Sequence, residues 1–595
     1  MATNPANVKA LRTELKNQSL DAFIVPLTDE HMSEYVGAYA GRLSWLTGFE
    51  GSAGNAVVTM DAAAIFIDGR YVIQVVSEVD DAYFERLHFQ EYPLTKWLSD
   101  HTQSGDTVGY DPELATVAQV KSYTAAVESS GASLIAVDAN PIDAVWSDQP
   151  AEPMDMAVLH DIKYTGRSAA DKRADIADIL KSKKADSAVI TQLDSVAWAF
   201  NIRGTDVENT PVTHAFALMH ADETADLFIN AAKINDEIRE ALGNAVRVRP
   251  REEFYVAMGE MASAGKSVLV DKVTNNAKVF NALEGATLVE GDDPCILPKA
   301  IKNDVEMQGA KDAHIRDGAA IAEFLAFLDE EAPKETLDEL KAVDILWQYR
   351  KRRNILKDTS FDTISGSASN GALCHYRVSE ETNLPITKGT LYLFDSGGQY
   401  LDGTTDITRT IAVGTPTAEM KDRFTRVLKG HIALSTIKFP KGTAGAALDT
   451  VARRPLWEVG LDYDHGTGHG VGSYLSVHEG PQRIGKGVSS TPIEAGMILS
   501  NEPGYYKENE YGIRIENLVL VRKCAENADF EREMLEFENL TWAPIDLNLV
   551  DASIMTAIEI NWLNDYHATV SEKLMPIVDD KTKAWLKIAT APILE

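Results

Sequence analysis

The chain has 595 residues, 45% of them hydrophobic and 25% charged, a globular composition with enough length for two to four domains. Its 90 acidic and 57 basic side chains leave a net charge of −33, a field that argues against nucleic acid or anionic membrane as partners. Three cysteines without a CxxC pair give neither a disulfide framework nor a structural zinc site and fit a reducing cytoplasm. The first residues show no basic region followed by an apolar run, so no secretory leader is expected. No eighteen apolar residues run together to span a membrane.

Along the chain, the first half carries an internal repeat. Leu15-Lys16-Asn17 followed by Asp21–Val25 resembles Leu180-Lys181-Ser182 followed by Asp186–Ile190, at a constant offset of 165 residues. Each copy reads as a helix ending in polar residues, then a short buried strand. A further match, around Trp45 and Trp198, predicts two related α/β domains in tandem. The proline-containing loop Asp148–Pro153 and a break near Pro298 divide the chain into 1–153, 154–303 and 304–595. Asn303 or Asp304 should cap a helix running to about Asp329, with Ile315, Ala319, Phe324 and Leu328 on its apolar face. Beyond it, strand-like runs at 391–394, 497–500 and 518–521 alternate with helices and glycine-rich turns.

Five residues of this last part read as ligands for two metal ions: Asp395, Asp406, His469, Glu502 and Glu516. Asp395 opens Asp-Ser-Gly, and Asp402-Gly403 at a hairpin tip would fold Asp406 back toward it. Glu502 and Glu516 repeat the device across a turn rich in Gly, Tyr and charge. His469 comes from a segment in which Gly466, Gly468, Gly470 and Gly472 should let the backbone approach the ions. Singly, each has an ordinary alternative: a turn-capping aspartate, a salt-bridged glutamate, a packed histidine. Together, four carboxylates and one imidazole suit Mn²⁺, Co²⁺ or Zn²⁺ and can offset two dications, which points to amide hydrolysis. His375, His465 and His478 are candidates for substrate contact and proton movement. His567 reads as structural.

These motifs resemble the metal-dependent pita-bread peptidases, aminopeptidase P above all. The resemblance covers the whole chain and is most specific over residues 365–517. It implies an α/β protein in which two creatinase-like domains precede a pseudo-symmetric pita-bread catalytic domain with a C-terminal extension from about residue 525. It also implies two ions, manganese first, with zinc or cobalt accepted by the same ligands, and both oxygens of Asp406 on metal. His375, His465 and His478 align with that family's active-site histidines. Arg42–Gly54, Phe66–Tyr71 and Asn201–Gly204 are family-like in the long three-domain form, and Arg70 is implied to reach the substrate, with a structural salt bridge as its alternative. The extension, including Asn561–His567, is associated with homodimers. Leu373-Cys374 before His375 departs from the commoner aliphatic residues and should alter packing alone.

The activity implied is release of the N-terminal residue from peptides with proline second, by attack of a metal-bridging hydroxide with Glu502 as general base and ligand. Prolidase, which cleaves Xaa-Pro dipeptides, is the nearest rival, but lacks the doubled N-terminal domains and the extension. Methionine aminopeptidase also lacks them. A non-catalytic pita-bread scaffold would have lost ligands, and all five stand here.

Overall fold

Two six-stranded sheets organise the first half of the chain, and they share one topology. The computed structural model describes residues 3–487 and 490–593. From edge to edge the first sheet runs Glu85–His88, Ala63–Ile67, Gly54–Thr59, Ala22–Pro26, Thr107–Tyr110 and Ser133–Ala136. The second runs Val246–Arg249, Ala225–Ile229, Ala215–His220, Ser187–Ile190, Ser267–Val270 and Thr287–Glu290. Parallel and antiparallel pairings follow the same order across the two. The sequence repeat is therefore a repeat of structure: Ala22–Pro26 and Ser187–Ile190 hold the same place in each sheet, and both are buried along their whole length. Burial on both faces explains why these strands read as unbroken apolar runs. Trp45 and Trp198 likewise sit on matching helices, Arg42–Thr47 and Leu193–Phe200.

Both sheets belong to one compact unit, the chain up to Ile162 with Arg167–Ile296. Polar contacts join them: Arg251 pairs with Glu30, and His31 Nδ1 lies 2.8 Å from Thr191 O.

The second unit is Lys163–Gly166 with the chain from Leu297. Its spine is the helix Asp304–Glu331, opened by a reciprocal cap in which Asn303 accepts from Glu306 N and Glu306 accepts from Asn303 N. Ala319, Phe324 and Leu328 are buried as expected, whereas Ile315 is only half-buried. The inward position is taken by His314, whose Nδ1 is 2.7 Å from Ala310 O, so the buried stripe is rotated by one residue.

Two antiparallel hairpins then build the catalytic half. In one, Thr390–Ser396 pairs with Ile407–Val413, and the register that sets Asp395 opposite Thr408 continues unbroken to Tyr400 opposite Gly403. In the other, Ile498–Asn501 pairs with Asn517–Lys523, and the same register runs on through Gly504 opposite Arg514 to Lys507 opposite Tyr511. Each hairpin thus leaves one sheet and enters another without losing step. The tip of the first is Leu401-Asp402, one residue earlier than the sequence suggested. Gly403 is paired instead, because a Cβ there would lie 3.1 Å from Ala310 Cα of the long helix. The C-terminal helices Ala557–Leu574 and Asp580–Ala589 pack Leu563, Tyr566, Val570, Leu574 and Leu586 into the same core as Ala319, Leu391 and Ile545. Among the described residues no helix is long and apolar enough to cross a membrane.

Candidate metal centre

The four carboxylates stand where the two hairpins cross from sheet to sheet. Asp395, one residue before the end of its strand at Ser396, stands opposite Thr408, which makes Asp406 its diagonal neighbour on the same face. The Asp395 carboxylate is near enough for its charge to raise Asp406. In the second hairpin the register carried from Asn501–Asn517 to Gly504–Arg514 places Glu502 directly opposite Glu516, and Ile515 N donates to Pro503 O between them. Carboxylates eleven and fourteen residues apart in sequence therefore become cross-strand neighbours by pairing alone. Gly397 makes the first hairpin possible: a Cβ there would lie 1.9 Å from Thr405 O and 2.0 Å from Ser360 Oγ.

His469 enters from Gly468–Gly470, a short strand between Glu479–Ile484 and Ile498–Asn501. Its Nε2 is 3.5 Å from Asp406 Oδ2 and 3.7 Å from Glu502 Oε1, while its Nδ1 lies 2.9 Å from Gly470 O. That contact assigns a proton to Nδ1 and turns Nε2 toward the carboxylates. At Gly468 and Gly470 the close approach is to neighbouring chain. A Cβ on Gly468 would be 2.1 Å from Ser500 O, and one on Gly470 2.3 Å from Glu479 O. Lys299 and Lys302, both buried, hold the Glu479 carboxylate beside this strand.

Ligand atoms of Asp406, His469 and Glu516 all lie within 4.8 Å of one another. Asp395 Oδ1, Asp406 Oδ1 and Glu516 Oε1 are buried without a hydrogen-bond partner, a costly arrangement for carboxylates. Burial first, and then the neighbouring carboxylates, push Asp406 and Glu516 well above the usual carboxylate range. Burial also raises Glu502, against the pull of His469 and Arg514. Three of the other oxygens are held: Thr408 Oγ1 donates to Glu516 Oε2 at 2.7 Å, Ser500 Oγ to Glu502 Oε1 at 3.2 Å, and Arg514 to Asp395 Oδ2 at 2.7 Å. Three unsatisfied carboxylate oxygens and the imidazole Nε2 of His469 are oxygen and nitrogen donors that a pair of divalent cations would satisfy.

The three other histidines are in the same unit. The His478 ring meets that of His469 edge to face, with centroids 4.3 Å apart. His465 Nδ1 is 4.0 Å from Glu502 Oε2, and its Nε2 is 2.8 Å from Tyr506 OH. His375 follows the turn Ala368–Ala372, whose Gly371 lies so near Gly512 that a Cβ on the latter would be 1.6 Å from Gly371 O. Next to it, the Cys374 thiol is pushed up to about 12, chiefly by burial. His567 accepts a 3.0 Å hydrogen bond from Ile545 N, the structural part expected of it. Arg70 is in the other unit, gripped by both oxygens of Asp68 and by Glu34. These contacts are those of the salt-bridge alternative.

Sequence reading missed the residues that orient the ligands. Arg514 is buried and bonds Asp395, Tyr506 OH at 2.6 Å and Thr408 Oγ1 at 3.0 Å, tying the two hairpins together. Arg409, also buried, bonds the backbone carbonyl of Glu516 at 2.7 Å and Tyr566 OH at 2.9 Å. Their signal was available: both lie within three residues of a proposed ligand.

Sequence models of protein families match nearly the whole chain. The creatinase/prolidase N-terminal domain matches residues 7–145 and, in a second version, 148–306. Metallopeptidase family M24 matches 308–523, and the C-terminal region of such peptidases 533–593. A probable Xaa-Pro aminopeptidase P of Aspergillus niger is 41% identical over 98% of both chains. The chain belongs to the aminopeptidase P family of M24 metallopeptidases. Another member, from Coccidioides posadasii, is also 41% identical over 98% of both chains. A solved aminopeptidase of this kind, X-prolyl aminopeptidase from Caenorhabditis elegans, is described as a cytosolic enzyme with a di-nuclear active site. It is 33% identical and covers 99% of both chains with a TM-score of 0.94. The fold of a Bacillus anthracis Xaa-Pro dipeptidase matches 64% of this chain and 99% of its own, with a TM-score of 0.52 at 23% identity. The expected fold, tandem creatinase-like domains followed by a pita-bread metallopeptidase, is the one found, and membership of metallopeptidase family M24 implies a peptide substrate and bound metal.

Proposed function

We propose that this aminopeptidase P family member removes the N-terminal residue from peptides whose second residue is proline. The observation carrying the reading is the set of unsatisfied carboxylate oxygens where the two hairpins cross, facing His469. Asp395, Asp406, His469, Glu502 and Glu516 would hold the two ions, manganese before zinc or cobalt. When bound, the ions supply Lewis-acid polarisation of the scissile carbonyl and make water a nucleophile near neutral pH.

The side chains do the rest. Glu502, already favouring a bound proton through burial, takes one from the attacking water as its oxygen bonds the carbonyl carbon. The scissile nitrogen belongs to proline, and as with any amide its anion is too basic to depart, so it leaves only after gaining a proton. His465, 4.0 Å from the Glu502 carboxylate, and His478, against His469, are placed to pass that proton on and to hold the substrate. His375 completes the substrate contacts. Arg70 as a further substrate group is a separate proposal, read from KM in Arg70→Lys.

The family-model limits at 145/148 and 306/308 support the division into 1–153, 154–303 and 304–595, with an extension from about residue 525. A cytoplasmic homodimer is the assembly we propose, the cytosolic part supported by the C. elegans structure. Likeness at full length to aminopeptidases sets prolidase second. The experiment is a comparison of Arg-Pro-Pro with Arg-Ala-Pro on Mn²⁺-loaded protein. Arginine release from the first alone is expected; equal release from both would overturn proline selectivity.

A further inference from the structure

Helix Glu339–Arg350 begins with a carboxylate buried far more deeply than a first-turn residue requires. Glu339 is 0% exposed, and no cation pairs with it among the described residues. Four donors surround it instead. Ser367 N donates to Oε1 at 2.7 Å; Asn370 Nδ2 reaches both oxygens at 3.1 and 3.0 Å; Tyr376 OH and Leu384 N donate to Oε2 at 2.9 and 2.8 Å. An ionised carboxylate has about four acceptor sites, so this one is saturated. Its main chain is engaged by the same segment, since Glu339 N donates to Leu384 O and Glu339 O accepts from Ser365 Oγ.

All these donors lie between Ser365 and Leu384, the stretch that carries His375. Tyr376 follows His375 directly, and Asn370 and Tyr376 bond each other at 2.9 Å and converge on Thr382. A loop of this length closes on itself only if its orphan backbone groups find partners. Here one side chain from outside the loop supplies them at both ends. We infer that Glu339 is a positioning residue for the proposed peptidase reaction, fixing the loop 368–384 so that His375 is presented at the metal centre. The inference rests on the role given to His375 above, and nothing in it requires Glu339 to touch substrate or metal.

The geometry also says which substitution is informative. Glu339→Gln preserves size but turns one acceptor oxygen into a donor, and every neighbour it meets is a donor. The loop should then rearrange while the sheets stay in place. A displacement of about 1 Å at a substrate-positioning group costs on the order of 10²-fold in rate, so a fall in kcat of that order is expected for Mn²⁺-loaded Glu339→Gln on Arg-Pro-Pro.

The test is a double-mutant cycle of Glu339→Gln with His375→Ala, reading kcat and KM, with Mn²⁺ stoichiometry and hydrogen exchange of residues 368–384 measured alongside. Support would be a large loss in Glu339→Gln, two ions still bound, faster exchange confined to the loop, and no further loss on adding His375→Ala. Multiplying losses, unchanged kcat, or loop exchange equal to wild type would overturn it. Should His375→Ala keep full activity, the reading of His375 is what fails, and loop exchange in Glu339→Gln still decides whether Glu339 organises the segment. If Glu339→Gln does not fold, Tyr376→Phe removes one donor and leaves the carboxylate. It should lower kcat and again be non-additive with His375→Ala, and additivity there would equally refute the proposal.

Discussion

Glu516→Gln should move the stability of the metal-free and metal-loaded protein in opposite directions. In the absence of ions, Glu516 faces Asp406 with ligand atoms inside 4.8 Å, and both are buried. Two full charges at that distance would repel by about 3 kcal/mol at an effective dielectric of about 20. Proton uptake by the raised carboxyls relieves part of this, so the metal-free variant should match or exceed wild type by up to about that amount. With ions present the balance reverses. At a hundred times Kd, each bound ion adds about 2.7 kcal/mol, a rise in Tm on the order of 5–10 °C for a domain this large. Glu516→Gln should lose at least one ion and most of that rise. The assay is calorimetry of chelator-stripped protein with and without Mn²⁺, with bound metal counted by mass spectrometry. A variant that keeps two ions per chain and the full wild-type shift would refute the ligand set.

Other outcomes follow from the same geometry. Glu502→Gln should fold normally and lose about 10²- to 10⁴-fold in kcat, the usual span for a general base; a tenth of wild-type activity would end its assigned role. Gly397→Ala forces a Cβ onto Thr405 O, so it should disrupt the first hairpin and reduce bound metal as well as Tm; normal metal content would show that the hairpin can relax. His567, buried and accepting from Ile545 N, has its pKa lowered to about 3, mainly by burial. Because the unfolded chain titrates near 6.5 and the folded state near 3, the unfolded state binds more protons between those values, and stability is lost as pH falls from 6.5 toward 3. At pH 5 the loss is about 2 kcal/mol. His567→Gln should flatten that part of the pH profile in urea melts, and an unchanged slope would contradict it.

How far the sequence could be read depends on the kind of contact involved. The tandem domains were legible because Ala22–Pro26 and Ser187–Ile190 are buried on both faces and keep a constant offset of 165 residues. The carboxylates were legible because turn residues between Asp395 and Asp406, and between Glu502 and Glu516, fold each pair back on itself. The finer register was not. The true tip at Leu401-Asp402 is set by how closely the long helix approaches Gly403, a tertiary fact. For the same reason the close approach of neighbouring chain at Gly468 and Gly470 was not legible, and Ile315 gave its inward place to His314. Arg514 and Arg409 sit within three residues of a proposed ligand, but their roles show in partners more than 100 residues away, and Glu339 has no local signature, since it acts through a loop that only tertiary folding brings near.

The most direct test of the central claim is hydrolysis of Arg-Pro-Pro by metal-stripped protein before and after addition of Mn²⁺, with Arg-Pro alongside. The account predicts Mn²⁺-dependent release of arginine from the tripeptide and little from the dipeptide. Preference for the dipeptide would contradict it in favour of prolidase, and no release from either with two ions bound would contradict catalysis itself.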